Sequence, residues 1–134
     1  MKHNPITPDE LERLRMAIGK ERYADYVYTQ FVLGIPTSQF LALKKDSLTI
    51  EGSVVIKDTG HEIPATSDAI ETILRRLDQP GTDLLFPRAH ISRGVWLGWK
   101  PLTPHYYRNN IVRPLFKSLG IPEDRAPHRH DIEI

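Results

Sequence analysis

The chain has 134 residues, 40% of them hydrophobic and 26% charged, with a net charge of +1 and no cysteine. That length and apolar share suit one folded domain and not a disordered segment. The lack of cysteine excludes disulfides, a thiolate metal site and a cysteine nucleophile, and cytoplasmic residence is the expectation.

The longest apolar runs, such as 31–33 and 54–56, fall far short of the roughly 20 residues a membrane span needs. Met1-Lys2-His3-Asn4-Pro5 leads into no apolar run, so neither a signal peptide nor a membrane partner is expected. The near-neutral total conceals an asymmetry. No Asp or Glu lies between Leu84 and Pro122, a stretch that holds Arg88, Arg93, Lys100, Arg108, Arg113 and Lys117. Such a stretch can form a basic face or be an ordinary solvated surface.

In chain order, Thr7-Pro8-Asp9-Glu10 reads as a helix start, with Thr as cap, Pro in the first turn and Glu at the capping-box position. Leu11, Leu14 and Ile18 then share one face, and Gly19 ends the helix. A second helix is expected over 21–33, with Tyr23, Tyr26, Val27, Phe31 and Val32 on its apolar side and Gly34 as its stop. Pro36 breaks the chain, and Thr37 or Ser38 caps a short helix reaching Leu43. The period then changes to two. Strands over 47–51, 53–57 and 61–64, with turns at Glu51-Gly52 and Asp58-Thr59-Gly60, give a three-stranded antiparallel meander.

Thr66 or Ser67 caps the next helix, with Ile70, Ile73, Leu74 and Leu77 on its inner face and Gln79-Pro80-Gly81 ending it. Residues 88–100 show no clear period and read as a loop carrying Trp96 and Trp99, which either close over the core or stand exposed as a contact. Thr103-Pro104 opens a late helix through Tyr107, Ile111, Leu115, Phe116 and Leu119, with Gly120 as its stop and Pro114 kinking or splitting it. Residues 122–134 read as an irregular tail with a His-Arg-His run, either frayed or weakly metal-chelating. The fold class expected is α+β: mainly helical with a small three-stranded antiparallel sheet, in one domain over 1–134.

Several of these segments resemble the catalytic domain of the tyrosine recombinases, the phage-integrase family. Gly34-Ile35-Pro36-Thr37-Ser38-Gln39-Phe40-Leu41-Ala42-Leu43 is similar to the family's Gly-Leu-Arg-x-Ser-Glu-Leu-Leu-Ala-Leu block. Lys57-Asp58-Thr59-Gly60-His61 is similar to its Lys-Thr-Gly-Lys hairpin, and Ile63-Pro64 to its Val-Pro-Leu step. Leu85-Phe86-Pro87, Leu102-Thr103 and Leu119-Gly120-Ile121 continue the order, so the resemblance covers about 7–121. It implies a tyrosine-recombinase-like fold and a metal-free, cofactor-free chemistry in which a tyrosine attacks the scissile phosphate. Two arginines and a His/Trp position stabilise the transition state, and the hairpin lysine protonates the leaving hydroxyl. Planar guanidinium suits this work because it donates two parallel hydrogen bonds to phosphate oxygens.

The catalytic slots are filled unevenly. Lys57 stands in the hairpin-lysine slot, and His130 is the nearest counterpart of the second signature's histidine, both as vestigial catalytic candidates. The first arginine slot holds Pro36, and the neighbouring Glu slot holds Gln39. Around Pro127-His128-Arg129-His130-Asp131-Ile132-Glu133, alignment on either histidine puts a carboxylate in the second arginine slot. Tyr23, Tyr26, Tyr28, Tyr106 and Tyr107 all lie upstream of the nucleophile's expected place. Loss of one preorganised donor alone can cost roughly 10²–10³ in rate.

The expectation is therefore a truncated, degenerate integrase-like chain that binds double-stranded DNA without cutting it: the product of a decayed gene or a retained, inactive paralogue. Contacts to phosphate are assigned to Lys44, Lys45, Arg88, Arg93, Lys100 and Arg108. The family's N-terminal clamp domain has no counterpart here, so weak, largely non-specific binding is expected. The alternative is a protein-interaction module that regulates an intact recombinase.

Overall fold

The computed structural model describes residues 4–50, 53–56 and 60–126. Short β1 (Asn4–Pro5) leads into α1 (Pro8–Ala17), α2 (Ala24–Leu33) and α3 (Thr37–Leu41). Strands β2 (Leu48–Ile50), β3 (Val54–Ile56) and β4 (His61–Ile63) form the antiparallel meander, and α4 (Ser67–Leu77) follows. A hairpin of β5 (Arg88–Ser92) and β6 (Val95–Lys100) precedes a late helix and β7 (Arg125–Ala126). The class is α+β, as expected. No helix among the described residues is long and apolar enough to cross a membrane.

The capping box forms as the sequence predicts. Thr7 Oγ1 accepts from the Glu10 amide at 3.2 Å, and Glu10 Oε1 accepts from the Thr7 amide at 3.1 Å. Glu10 is itself buried, because Arg125 Nε donates to the same Oε1 at 2.8 Å. This corrects the irregular tail over its first residues. Arg125 and Ala126 pair in parallel with Asn4 and Pro5, and Arg125 supplies the cation that the buried carboxylate requires. The remainder of the predicted tail, with its histidine run, lies outside the described residues.

Helix α2 is the centre of the molecule. Residues 26–33 are buried on every face, polar Thr29 and Gln30 included, so the single apolar side expected of an outer helix is replaced by burial all round. Gln30 is buried because it is satisfied. Its Nε2 donates to the Ile35 carbonyl and to Thr37 Oγ1, each at 3.2 Å, and its Oε1 accepts from Tyr107 Oη at 2.9 Å. Aromatic packing joins the elements around it. Phe40 and Phe86 stack at 4.3 Å, Tyr26 meets Phe86 edge-on at 5.0 Å, and Phe31 meets Phe116 edge-on at 5.5 Å.

Two helices differ from their expected form. In α4 the buried side is Ala69, Thr72 and Ile73, while Leu74 is 49% exposed. Ile73 is buried and Leu77 packs against the core as expected, and Arg76 lays its guanidinium over the Tyr26 ring at 4.8 Å and pairs with Asp25 at 3.6 Å. The late helix runs as α5 (Pro104–Tyr107), a π-helical segment (Arg108–Val112) and α6 (Arg113–Leu119). Pro114 has no amide to give to the helix ladder, and the ladder widens just before it, with the Arg113 amide reaching back to the Arg108 carbonyl. The proline is thus absorbed by a π-bulge instead of breaking the helix.

Candidate nucleic-acid interface

The loop expected over 88–100 is a β-hairpin. Ser92 pairs with Val95 across a two-residue turn, Arg93-Gly94, in which both residues have positive φ (53° and 78°). A type I′ turn requires that geometry, and its twist matches the strands it joins. Further down, Ala89 pairs with Trp99 but Ile91 pairs with Trp96, so Leu97 and Gly98 together oppose His90. This one-residue bulge, with Gly98 at φ 107°, resets the alternation. Residues three apart in a regular strand point to opposite faces, whereas here Trp96 and Trp99 share a face, their rings 5.9 Å apart and nearly perpendicular at 83°.

Among the described residues, the hydrogen bonds and the ring contact that tie the hairpin to the body lie at its base. Trp99 Nε1 donates to the Pro80 carbonyl at 3.2 Å, and Tyr26 Oη donates to the Pro87 carbonyl at 2.7 Å. Arg88 lays its guanidinium over the Tyr106 ring at 4.1 Å. Beyond the base, Ile91, Val95, Trp96 and Leu97 are all more than half exposed. Of the two alternatives for the tryptophans, Trp99 is half-buried against the body and Trp96 stands in solvent.

Beside the base lies a cleft of about 520 Å³ between the start of α2, β5 and the late helix, lined among others by Arg22, Tyr23, Arg88, Tyr106 and Asn110. Glu21 also lines it, so its charge is mixed. Tyr23, at the cleft edge, caps α2 in the left-handed region with φ 65° and carries the Arg22 guanidinium 5.0 Å from its ring centroid. Arg22 and Asn110 had no signal in the sequence. Arg22 stands among charges of both signs, and Asn110 reaches the cleft only because of how the late helix docks.

The six assigned cations divide into two groups. Arg88 and Lys100 face each other in register at the hairpin base, Arg93 is at its tip, and Arg108 directly follows Tyr107 at the start of the π-helical segment. Among the described residues, no carboxylate lies within ion-pair distance of these four, and Arg88 Nε is buried with no hydrogen-bond partner. Lys44 and Lys45 are elsewhere. Lys44 forms a β-bridge with Leu84, and Lys45 Nζ donates to the Gln79 carbonyl, so both tie the segment after α3 to the turn after α4.

The catalytic candidates Lys57 and His130 lie outside the described residues. Pro36, in the arginine slot, is the exposed N-cap of α3. Three of the five tyrosines are structural. Tyr26 and Tyr107 are buried and hydrogen-bonded, and desolvation pushes both phenols well above their ordinary pKa of 10.0. Tyr28 is buried with its Oη 2.9 Å from Thr66 Oγ1. A phenol in such surroundings is a poor nucleophile, since its phenolate is disfavoured. Comparison of the chain with protein-family models, curated proteins and solved structures gives no match.

Proposed function

We propose that the chain is a DNA-binding protein of tyrosine-recombinase likeness that does not cleave DNA itself. The observation that carries the reading is the set of Arg88, Arg93, Lys100 and Arg108, four cations on adjoining elements without a carboxylate partner among the described residues. Most of the chain's other arginines are ion-paired: Arg13 to Asp9, Arg15 to Glu12, Arg75 and Arg76 to Asp25, Arg113 to Glu123 and Arg125 to Glu10. Cations without a carboxylate partner can neutralise backbone phosphates, which releases the counterions condensed on the DNA. A two-stranded ribbon is also an element that the major groove admits.

The absence of cleavage rests on Pro36, which offers no charge and no donor where the family's first arginine binds phosphate, and on the packed state of Tyr26, Tyr28 and Tyr107. The test is binding of a mixed-sequence duplex across a salt series. If each of the four cations neutralises one phosphate, affinity falls about a hundredfold between about 50 and 200 mM salt. An affinity that ignores salt contradicts the reading.

A further inference from the structure

We propose that Trp96 is a stacking platform for an unpaired DNA base, so that the chain grips single-stranded or branched DNA more tightly than continuous duplex. This rests on the DNA-binding reading and names the form of DNA it prefers. The indole is 56% exposed and its cross-strand neighbour Ile91 is 55% exposed, on a hairpin hydrogen-bonded to the body through Trp99 at its base. A bulge puts Trp99 on the same face, but its ring is nearly perpendicular to that of Trp96 and so does not stack in parallel over it. An exposed indole face is the surface on which any base can stack, irrespective of sequence. The same hairpin carries Arg93 at its turn and Arg88 paired with Lys100 at its base, so the indole stands on a ribbon with cations at both ends.

Charge decides between this occupant and a second copy of the chain. The hairpin carries Arg88, Arg93 and Lys100 and no acid, so pairing two copies hairpin to hairpin gathers like charges with none to offset them. A polyanion carrying flat apolar bases matches both the cations and the indole.

The test uses the whole chain, a poly-thymidine strand of about 15 nucleotides and a mixed-sequence duplex of the same length. The wild type is expected to bind the strand more tightly than the duplex. Trp96→Ala weakens strand binding about tenfold or more and leaves the salt slope unchanged, because no charge is removed, while Trp96→Phe retains most of the affinity. In a Trp99→Phe background the strand quenches the fluorescence of Trp96, which reads the contact with that side chain intact. Salt-dependent duplex binding together with unchanged strand affinity in Trp96→Ala overturns the stacking inference and leaves the DNA-binding reading standing. Failure of the wild type to bind either DNA overturns both. A dimer in sedimentation that Trp96→Ala dissolves, with strand affinity unaltered, overturns the inference in favour of self-association.

Discussion

The packed body and the β5–β6 hairpin treat the same residue types in opposite ways. In the body, Phe31, Phe40, Phe86, Phe116, Tyr26 and Tyr107 are buried and touch one another, and most arginines have carboxylate partners. In the hairpin, Ile91, Val95, Trp96 and Leu97 are in solvent, and Arg93 and Lys100 have no acid beside them among the described residues. A segment that leaves apolar area and charge uncompensated contributes little to stability and is available for a partner. The fold therefore separates the residues that hold it together from those that can bind.

The sharpest way to break this comparison is to truncate one aromatic from each region. Phe86→Ala, which removes the ring between Tyr26 and Phe40, is expected to destabilise by about 3–5 kcal/mol, whereas Trp96→Ala changes stability by no more than about 0.5 kcal/mol in denaturant melts. Comparable losses for the two would place the hairpin in the cooperative core.

Within the body, Tyr107→Phe keeps the packing but deprives Gln30 Oε1 of its donor, and about 1–3 kcal/mol of stability should be lost. A smaller effect concerns acid. Arg125 holds the Glu10 carboxyl below its ordinary value of 4.5. A folded-state pKa that is depressed contributes stability above the unfolded value and loses it as pH falls through the folded one. Arg125→Leu should therefore lower stability at neutral pH and flatten the decline below about pH 4.5, as followed by thermal melts across pH. The smallest effect is at the hairpin tip. Asparagine tolerates positive φ better than arginine, so Arg93→Asn should stabilise the turn by up to about 1 kcal/mol, seen as slower amide exchange in the hairpin.

Much of the body was legible because its signals are local. Thr7-Pro8-Asp9-Glu10 encodes its own cap, the meander follows alternation and turn residues, and Gly34 and Gly120 end their helices where expected. The hairpin was not legible, for two reasons. Its turn is Arg-Gly, not the usual Asn-Gly, and the bulge at Leu97-Gly98 sets the tryptophans three apart, which hides the period of two. On α4 the expected inner face holds at Ile73 and Leu77, while Leu74 is 49% exposed and Ala69 and Thr72 are buried beside Ile73. The Glu10–Arg125 pair joins residues 115 positions apart in the sequence, a contact with no trace in local pattern. Of the candidate cations, Arg88, Arg93, Lys100 and Arg108 lie in the acid-free stretch, while Lys44 and Lys45 lie where the segment after α3 meets the turn after α4.

The measurement closest to the central claim removes two positive charges from either region and follows duplex affinity against salt. Arg93→Gln with Lys100→Gln should weaken binding and lower the slope of log K against log salt by about 2, while Arg13→Gln with Arg15→Gln on α1, already ion-paired, should leave the slope within about 0.5 of the wild type. Equal losses for the two pairs would show that binding follows net charge alone, and the hairpin would not be the interface.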